Sequence, residues 1–582
     1  ELTETMRGGE KRGSLLWVMD KTKTAMRSSL LRSWLEKPLL SPKRINARLA
    51  AVTELTGDTV CREDIAELLR EVSDLERVMA RVVTGTANAR DLVSFETGCR
   101  PLPELHEKAA ALHAPLFGVL AEELDDLSDL RTLVAASIVD EPPFTLREGG
   151  LIRKGYNAEL DRLRDIVSGG TGTLAKIEAE EKEKTGIRNL RVGYNRVFGY
   201  YIEVAKGQVS MVPEHYIRKQ TLANGERYIT PELKELESEI LTAKDRIAAL
   251  EYELFTDVRL KLADQAARVQ RTARATACMD VLTSLAAVAV KNNYCRPEID
   301  LSGEIAIKDG RHPVVEQMLK GSLFVPNDTT LDGGANRVAI LTGPNMAGKS
   351  TYMRQVALIV LMAQIGSFVP AKSARVGIVD RIFTRIGASD DLSSGKSTFM
   401  VEMTEVAEIL KNATARSLLI LDEIGRGTST FDGMAIARAV LEYAADRKRL
   451  GAKTLFATHY HELTDIEREL DGVRNYNIAV KKRGGDILFL RKIVPGAADD
   501  SYGVEVAKLA GLPDRVITRA RELLRELESG APVRTVTVAA SDQLSITSME
   551  NDALRRKLES ISVETLTPIE AMNALYELKQ ML

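Results

Sequence analysis

The spacing of hydrophobic residues changes along the chain and divides it into segments. In residues 1–165 apolar side chains such as Leu31, Trp34 and Leu35 recur at helical spacing, which predicts helices. The segment EKPLLSPKR, residues 36–44, interrupts this pattern with two prolines, so we expect a helix to end there.

Residues 185–229 have a different pattern, typical of strands. The short runs LRVGYN, GYYIEV and ERYIT are rich in aromatic and β-branched residues. Basic side chains lie between and within these runs: Arg188, Arg191, Arg196, Lys206, Arg218, Lys219 and Arg227. The pattern predicts a small, partly basic β-module.

Helical patterns flank this module on both sides. Residues 232–295 contain no glycine or proline, and apolar residues there recur at alternating spacings of three and four: Leu233, Leu236, Ile240, Ala243, Ile247, Leu250 and Leu254. Thr230 and Pro231 are typical of a helix start, and residues 158–184 form a second helical pattern. We expect two antiparallel helices with the β-module at their tip, although the pattern alone equally allows an ordinary helical hairpin with a charged, solvated tip.

A glycine-rich loop follows the buried strand predicted at Val338–Thr342 and precedes a helix predicted at residues 350–359. Its glycines allow backbone N–H groups to surround phosphate oxygens, and the helix N-terminus adds partial positive charge. It fits the pattern G-x-x-x-x-G-K-[ST], so the candidate nucleotide-binding residues are Gly343, Pro344, Asn345, Met346, Ala347, Gly348, Lys349, Ser350 and Thr351. Lys349 would neutralise phosphate charge, and Ser350 would hold Mg²⁺.

Two further strand ends carry candidate catalytic groups. The run RSLLILDE ends in Asp422, placed to reach Mg²⁺ through water, and Glu423, placed to act as a general base on water. The run KTLFATHYHEL carries His459 where a core strand ends, a position that usually faces the ligand in α/β sheets. We expect His459 to sense phosphate and His461 to lie on the surface.

A second candidate phosphate-binding element occupies residues 388–403, where a serine-rich run that includes Ser397 precedes a predicted helix. The chain already has its own phosphate loop, so this element favours a site completed by another protomer, as in dimers of the ATP-binding-cassette type. A simple helix N-cap is the alternative.

Composition narrows the class of protein. The chain has 582 residues, 28% of them charged, and a net charge of −3, so any nucleic-acid surface must be local. The four scattered cysteines favour a reducing compartment and no zinc site. The apolar run near the phosphate loop is too short to cross a bilayer, and because the chain begins at Glu1 we expect a fragment of a longer protein.

Taken together, these motifs resemble the MutS family of DNA mismatch repair proteins. The residues that carry the resemblance are TGPNMAGKSTYMRQ, DDLSSGKSTFMVEMTE, LDEIGRGTSTFDG and FATHYHEL, with YNRVFGYYIEV, RKQTLANGERYITPELKE and RHPVVEQ outside them. The resemblance implies a multidomain protein with a mainly α-helical core and lever at 1–165 and 230–297 and an α+β DNA clamp insert at 165–229. An α/β P-loop ATPase of the ATP-binding-cassette type, with a dimerising helix-turn-helix, follows at 298–530, and a linker and helical tail at 531–582.

The resemblance also implies roles for particular residues. Phe324 would stack on adenine, Asn345, Lys349 and Ser350 would bind phosphate and Mg²⁺, and Ser397 would reach the partner's γ-phosphate. Asp422 would be the metal-linked acid and Glu423 the base. The candidate DNA-binding residues are Arg188, Arg191, Arg196, Arg218, Lys219 and Arg227.

The implied cofactors are ATP and Mg²⁺, and the implied partners are double-stranded DNA, a second copy of the chain in a homodimer or tetramer, and a MutL-type repair protein. The segment QLSI, from Gln543 to Ile546, resembles the peptide that binds the replication sliding clamp. No membrane partner is implied, and we expect a bacterial cytoplasmic protein associated with the nucleoid. The family's mismatch-reading and connector domains have no counterpart in this sequence, so we expect DNA binding without mismatch recognition.

Two alternatives remain at this stage. One is a MutS paralogue that acts on recombining or branched DNA, against which the clamp motifs count. The other is a transport or chromosome-structural ATPase, but LSSGKS differs from the transporter signature LSGGQ, and the lever is short for a chromosome-structural arm.

Overall fold

The computed structural model describes residues 2–528 except 6–7, 25, 147–148, 196–198, 320, 345–346, 388–397, 484–485 and 498–501, and beyond 528 it describes residues 572 and 579. The chain divides into two compact units, Glu1–Tyr502 and Gly503–Leu582. The first unit contains the helical part, the small sheet and the α/β domain.

The N-terminal part of the first unit is helical, as the apolar spacing predicts. Its helices are α1 (Leu15–Met19), α2 (Arg27–Glu36), α3 (Pro42–Gly57), α4 (Thr59–Glu71), α5 (Leu75–Thr84), α6 (Ala89–Cys99), α7 (Leu102–Ala111), α8 (Pro115–Glu123) and α9 (Ser128–Ser137). Pro38 falls just after α2, where a break is predicted, and Pro42 occupies the first turn of α3, where its missing N–H costs nothing.

Two long helices lead to and from a small antiparallel sheet. Helix α10 (Ala158–Thr185) runs out and α11 (Pro231–Asp264) returns, and the sheet between them has the order β1-β2-β4-β3. The strands are β1 (Arg191–Asn195), β2 (Gly199–Ala205), β3 (Ile217–Thr221) and β4 (Gly225–Ile229). The β-module is therefore present, with one strand, β3, that the predicted runs did not include, and the plain helical hairpin is ruled out.

The sheet has a hydrophobic core of its own, which includes Ile202, Val204 and Tyr228 together with Leu233 from the first turn of α11. Further along α11, Ile240 and Leu250 from the predicted apolar seam are also buried. The Thr230 hydroxyl accepts a hydrogen bond from the Leu233 N–H and caps this helix, as its position predicts. The module is thus fixed to the end of the helix pair.

The glycine- and proline-free stretch forms two helices, with a break at Gln265 before α12 (Ala266–Asn292). Within the described part of the chain, α12 is the one helix long and apolar enough to cross a membrane, and most of its apolar stretch is buried inside the protein. Burial of this kind is expected of a core helix, and α12 packs against α3, α4, α5 and α8.

The α/β domain is built on two sheets. Their orders are β10-β11-β12-β8-β13-β14 and β5-β9-β6-β7. The strands are β5 (Glu298–Asp300), β6 (Ile305–Gly310), β7 (Asn327–Leu331), β8 (Val338–Thr342), β9 (Ser373–Gly377), β10 (Ile382–Arg385), β11 (Leu418–Asp422), β12 (Lys453–Ala457), β13 (Val473–Arg483) and β14 (Asp486–Pro495). The helices are α13 (Val315–Met318), α14 (Lys349–Gln364), α15 (Thr398–Asn412), α16 (Thr430–Ala445) and α17 (Ile466–Glu469), with a 3-10 turn at His461–Asp465.

The larger sheet is parallel from β10 to β13 and covered on both faces, which explains its uninterrupted apolar strands. Ala339 and Leu341 of β8 belong to the core that contains α14, whereas Val338 and Ile340 belong to the core that contains α16. The helical and α/β content that the sequence predicts is thereby confirmed.

The core on the α14 side continues into the N-terminal helical part. The backbone N–H of Leu39 donates to the carbonyl oxygen of Gln364 over 3.0 Å, and the Gln364 side chain returns a hydrogen bond of 3.1 Å to the carbonyl of Leu39. The end of α14 is thus joined to the segment between α2 and α3.

The second unit contains two described helices, α18 (Gly503–Leu509) and α19 (Asp514–Glu528), separated by a short turn at the predicted helix-turn-helix. Gly511 in this turn has φ of +87°, a conformation that favours glycine. The linker and helical tail predicted for 531–582, including the segment from Gln543 to Ile546, lie outside the described residues except for 572 and 579.

Candidate nucleotide site and basic surface

The candidate site lies where neighbouring strands of the parallel sheet end. Asp422, the last residue of β11, pairs with Ala457 of β12, and the N–H of Thr458 donates to the carbonyl oxygen of Leu341 in β8 over 3.0 Å. The carboxyl ends of β8, β11 and β12 therefore meet at one edge, the usual place for a ligand in such a sheet. The phosphate loop, the acidic pair and His459 leave the sheet from this edge.

The phosphate loop has the conformation that its glycines permit. Gly343 and Gly348 have φ of +121° and +108°, which a side chain would disfavour. The Ala347 N–H donates to the carbonyl oxygen of Pro344 over 3.2 Å, so Ala347 lies in a buried turn. Asn345 and Met346 lie outside the described residues.

Lys349 begins helix α14 and is buried. Its ammonium group donates to the carbonyl oxygen of Gly343. Burial lowers the pKa of Lys349, while the negative charges of Glu423 and Asp422 act in the opposite direction. The lysine is thus held inside the loop and faces both carboxylates, as a phosphate-binding cation should.

Asp422 and Ser350 fit a magnesium ion. Burial raises the pKa of Asp422, and a hydrogen bond with Ser350 partly offsets this rise. The Oδ1 atom of Asp422 is buried and has no protein partner. Among the described residues no group of three or more His, Cys, Asp or Glu could hold a metal by itself, so a cation here would draw further ligands from phosphate and water, as Mg²⁺ commonly does.

Glu423 has a strained backbone and a charged partner. Its φ is +53°, in the left-handed region that is costly for a residue with a Cβ atom. Its Oε2 atom lies 2.6 Å from Nη1 of Arg426. Strain of this kind often occurs at functional positions.

His459 follows β12 and is partly exposed, with its ring 4.1 Å from that of the buried Tyr460. Burial lowers the pKa of His459; the charge of Glu423 opposes this, and those of Arg426 and Lys349 reinforce it. The imidazole is therefore close enough to Glu423, Arg426 and Lys349 to respond to their charges, and its lowered pKa favours the neutral form. His461 is exposed, as predicted.

Two cavities flank the phosphate loop. One, of about 480 Å³, is lined by Ser350, Asp422 and Glu423 among others, and the other, of about 250 Å³, is lined by Phe324 together with Gly348 and Thr351. The two carboxylates therefore lie on one side of the loop, and the aromatic side chain of Phe324 lies on the other. Phe324 thus lies where a base could stack on it.

Ser397 and residues 388–396 lie outside the described residues. Helix α15 begins at Thr398, the next residue, so a helix follows the serine-rich run as the sequence predicts. Thr398 and Glu402 line the cavity that contains the acids.

Most of the candidate DNA-binding residues in and beside the small sheet are exposed. Arg188, Arg191, Arg218 and Lys219 are exposed, whereas Arg196 lies outside the described residues. Pairing between β3 and β4 skips Lys219, so this residue sits at a bulge, where a side chain is commonly redirected.

Both Arg218 and Arg227 pair with a glutamate of the sheet, but the Arg218 side chain, 3.5 Å from Glu226, is 64% exposed, whereas that of Arg227 is 18% exposed. The Arg227 guanidinium is the more firmly held. It donates to Glu203 over 2.9 Å and to Gln220 over 3.0 Å, and it lies 4.2 Å from the centre of the Tyr201 ring. We therefore expect Arg227 to support the surface more than to contact DNA.

Four residues near the site were not predicted as functional: Arg385, Glu402, Arg426 and Tyr460. Arg426 lies within the glycine-rich turn GRG that follows the acidic pair, and this turn was the available signal for it. Glu402 and Tyr460 contact the same turn from other elements, and no local sequence pattern indicates such contacts.

The fold and the site define a multidomain protein in which a helical part is joined to an α/β domain with a glycine-rich loop between a buried strand and a helix. Three family models match the chain: MutS domain III at residues 1–286, MutS domain V at 339–528, and the DNA mismatch repair protein MutS C-terminal region at 548–581. The chain belongs to the MutS family of DNA mismatch repair proteins, and the resemblance seen in its motifs is confirmed.

Individual relatives agree with this assignment. The chain is 55% identical to the DNA mismatch repair protein MutS of Ruminiclostridium cellulolyticum over 590 residues and 54% identical to that of Acetivibrio thermocellus over 591 residues; each match covers 100% of this chain and 68% of the relative. The protein of the same name from Lachnoclostridium phytofermentans is 58% identical over 527 residues, which cover 90% of this chain and 56% of the relative. The chain thus spans roughly two-thirds of the first two relatives and a smaller share of the third. The alternatives of a recombination-type paralogue and of a transport or chromosome-structural ATPase are not favoured.

Proposed function

We propose that the chain is a DNA mismatch repair ATPase in which nucleotide binding and hydrolysis switch the conformation of a dimer on DNA. The observation that carries this proposal is that Lys349, Asp422 and Glu423 lie together at one edge of the parallel sheet. The charges of the two carboxylates raise the pKa of Lys349, and the charge of Lys349 lowers the pKa of Asp422. Family membership supports DNA binding, ATP binding and dimerisation.

In the proposed site Lys349 binds the terminal phosphates of ATP, and Phe324 stacks on the adenine. Ser350 and Asp422 hold Mg²⁺, which when bound neutralises charge on the phosphate oxygens. Glu423 accepts a proton from the attacking water, and the neutral His459 donates a hydrogen bond to phosphate. Ser397 of the partner protomer completes the site in this proposal.

The small sheet would contact DNA through the phosphate backbone. Exposed arginine and lysine side chains neutralise phosphates and fix position without reading sequence. A MutL-type partner, a sliding-clamp contact through Gln543 to Ile546, and a bacterial cytoplasmic location at the nucleoid also belong to this proposal. They follow from the resemblance to the MutS family that the sequence motifs carry.

The test is the substitution Glu423→Gln, measured by ATP binding and by phosphate release in parallel. Loss of a positioned general base lowers the hydrolysis rate by about 10² to 10⁴, whereas ATP binding should persist because Lys349 and the phosphate loop remain intact. Glu408→Gln, an exposed glutamate on α15, is the matched control and should keep the rate of the parent protein. Unchanged turnover in Glu423→Gln would refute the assignment of the base.

A further inference from the structure

The turn that follows Glu423 is held from two sides. The N–H of Gly425 donates to the Glu402 carboxylate over 2.6 Å, and its carbonyl oxygen accepts a hydrogen bond of 3.0 Å from the Tyr460 hydroxyl. Gly425 has φ of +88°, and a Cβ atom there would lie 2.3 Å from the carbonyl oxygen of Gly433. The turn therefore has little freedom to shift while these contacts are in place.

Glu402 is suited to this contact because it is buried and paired. Its side chain is 7% exposed, and Nη2 of the equally buried Arg385 lies 3.8 Å from its Oε2 atom. A buried carboxylate is tolerated when a cation and a hydrogen-bond donor compensate its charge. Here Arg385 supplies the cation and the Gly425 peptide supplies the donor.

Tyr460 completes the arrangement. Burial raises the pKa of Tyr460, and the negative charges of Glu402 and Glu462 raise it further. The hydroxyl therefore keeps its proton and donates to Gly425.

Glu423 needs such support because its left-handed backbone conformation is disfavoured unless the surroundings impose it. On its other side, the N–H of Glu423 donates to the carbonyl oxygen of Ala457 over 2.9 Å, which ties it to β12. The contacts at Gly425, two residues further on, fix the chain as it leaves the strained position. Glu402 and Glu423 line the same cavity.

We propose that Glu402 is a positioning residue for ATP hydrolysis: its carboxylate holds the Gly425 peptide and thereby keeps Glu423 in the conformation that directs its carboxylate into the nucleotide cavity. This inference rests on the proposed function, in which Glu423 is the general base. Glu402 lies in the second turn of α15, so displacement of this helix would also displace Glu423. The position of α15 therefore controls the competence of the base.

The first experiment compares Glu402→Ala, Glu402→Gln and Glu405→Ala for kcat and for ATP affinity. Misplacement of a reacting group by about 1 Å costs about 10²-fold in rate, so Glu402→Ala should lower kcat by up to this factor and leave the ATP Kd within about twofold. Glu402→Gln keeps an acceptor for the Gly425 N–H and should restore most of kcat. Glu405 contacts Arg385 from the same helix, and its substitution is the matched control, with kcat expected near that of the parent protein.

The second experiment adds Glu402→Ala to Glu423→Gln. If Glu402 acts through Glu423, the double variant should be no slower than Glu423→Gln alone, measured in single-turnover phosphate release. Multiplied losses, or a folded Glu402→Gln as slow as Glu402→Ala, would overturn the positioning role but leave the base assignment intact. Full turnover by Glu423→Gln would overturn both.

Folding is checked by the thermal midpoint of each variant. If Glu402→Ala does not fold, Tyr460→Phe takes its place, since it removes the hydrogen bond to the Gly425 carbonyl while keeping the ring. It should lower kcat at unchanged ATP Kd and add nothing to Glu423→Gln. A Tyr460→Phe variant with the parent kcat would count against the proposal.

Discussion

The guanidinium of Arg48 donates a hydrogen bond from Nη1 to the carbonyl oxygen of Ile365 over 2.9 Å. Arg48 belongs to α3 of the helical part, and Ile365 directly follows α14, whose first residue is Lys349. A helix C-terminus carries partial negative charge, so a cation there is favourable. Helix α14 thus begins in the phosphate loop, and the residue just after its last turn contacts the helical part.

Neighbouring residues fit closely around this contact. The guanidinium carbon of Arg48 lies 3.3 Å from the centre of the Trp34 ring, a cation–π geometry. Gly366 has φ of +87°, and a Cβ atom there would lie 2.4 Å from that of Arg48. Burial lowers the pKa of Arg48 to about 10, so the side chain is charged at neutral pH.

We predict that Arg48→Met reduces the effect of DNA on ATP turnover while ATP binding persists. The substitution keeps an apolar stem but removes the charged hydrogen bond, which typically contributes about 1.5–3 kcal/mol to stability. Turnover with and without duplex DNA is the measurement, and Arg44→Met, an exposed residue of the same helix, is the control. A DNA response equal to that of the parent protein would show that coupling takes another route.

We predict that Arg218→Ala combined with Lys219→Ala weakens DNA binding equally for a matched duplex and one with a single G·T pair. Both side chains are exposed on the edge strand β3, and phosphate contacts carry no base information. Loss of two phosphate contacts should reduce the slope of log K against log salt by about 2. The measurement is a salt titration on both duplexes.

The control for this prediction is Arg447→Ala combined with Lys448→Ala, an exposed basic pair in the α/β domain that should leave the slope unchanged. Arg227→Ala should weaken DNA binding less than the β3 pair, because its guanidinium is already bound to Glu203 and Gln220. A loss confined to the G·T duplex, by tenfold or about 1.4 kcal/mol, would contradict phosphate binding as the role of this surface.

We predict that Ser397→Ala and Lys349→Ala complement each other when the two proteins are mixed. In a heterodimer both lesions fall on one site, and the other site keeps its own lysine and receives an intact serine from its partner. Random pairing into two-fold dimers would restore roughly a quarter of the parent activity at equal concentrations. Mixed activity no greater than the sum of the separate variants would indicate that Ser397 does not act across the interface.

We predict that His312→Asn reduces the loss of stability at acid pH. The Nδ1 atom of His312 accepts hydrogen bonds from the N–H groups of Val314 and Val315, at 3.3 and 3.2 Å, which the asparagine oxygen can replace. Burial, reinforced by the charge of Arg354, lowers the pKa of His312 from 6.5 to about 4.

The direction of this effect follows from the neutral state of the folded imidazole. The contribution of neutral His312 to the free energy of unfolding is fully present above pH 6.5. This contribution, at most about 3 kcal/mol, is lost as the pH falls toward 4. Thermal midpoints of His312→Asn and the parent protein should therefore converge or cross between pH 6.5 and 4. A constant difference over this range would contradict the prediction.

Much of the local structure is predictable from the sequence because its causes are local. Thr230 and Pro231 start α11 through the hydroxyl cap and the fixed proline φ, and alternating apolar spacing buries Leu233, Ile240 and Leu250 on one side of it. The glycines of the phosphate loop mark the turn for the same reason, since Gly343 and Gly348 adopt φ values that other residues avoid. Such features depend on neighbours a few positions away.

The sequence by itself determined the helical nature of residues 1–165, three of the four strands of the β-module, the glycine-rich loop and the acidic pair at the end of β11. The tertiary structure alone decided which of these elements touch, because such contacts join positions that no local pattern links. Glu402 and Gly425 are 23 residues apart, and Arg48 and Ile365 are 317 apart, yet each pair is hydrogen-bonded. The structure likewise separated Arg227, held by Glu203 and largely buried, from Arg218, which contacts Glu226 but keeps most of its side chain exposed, since identical side chains acquire different roles from the residues that packing places beside them.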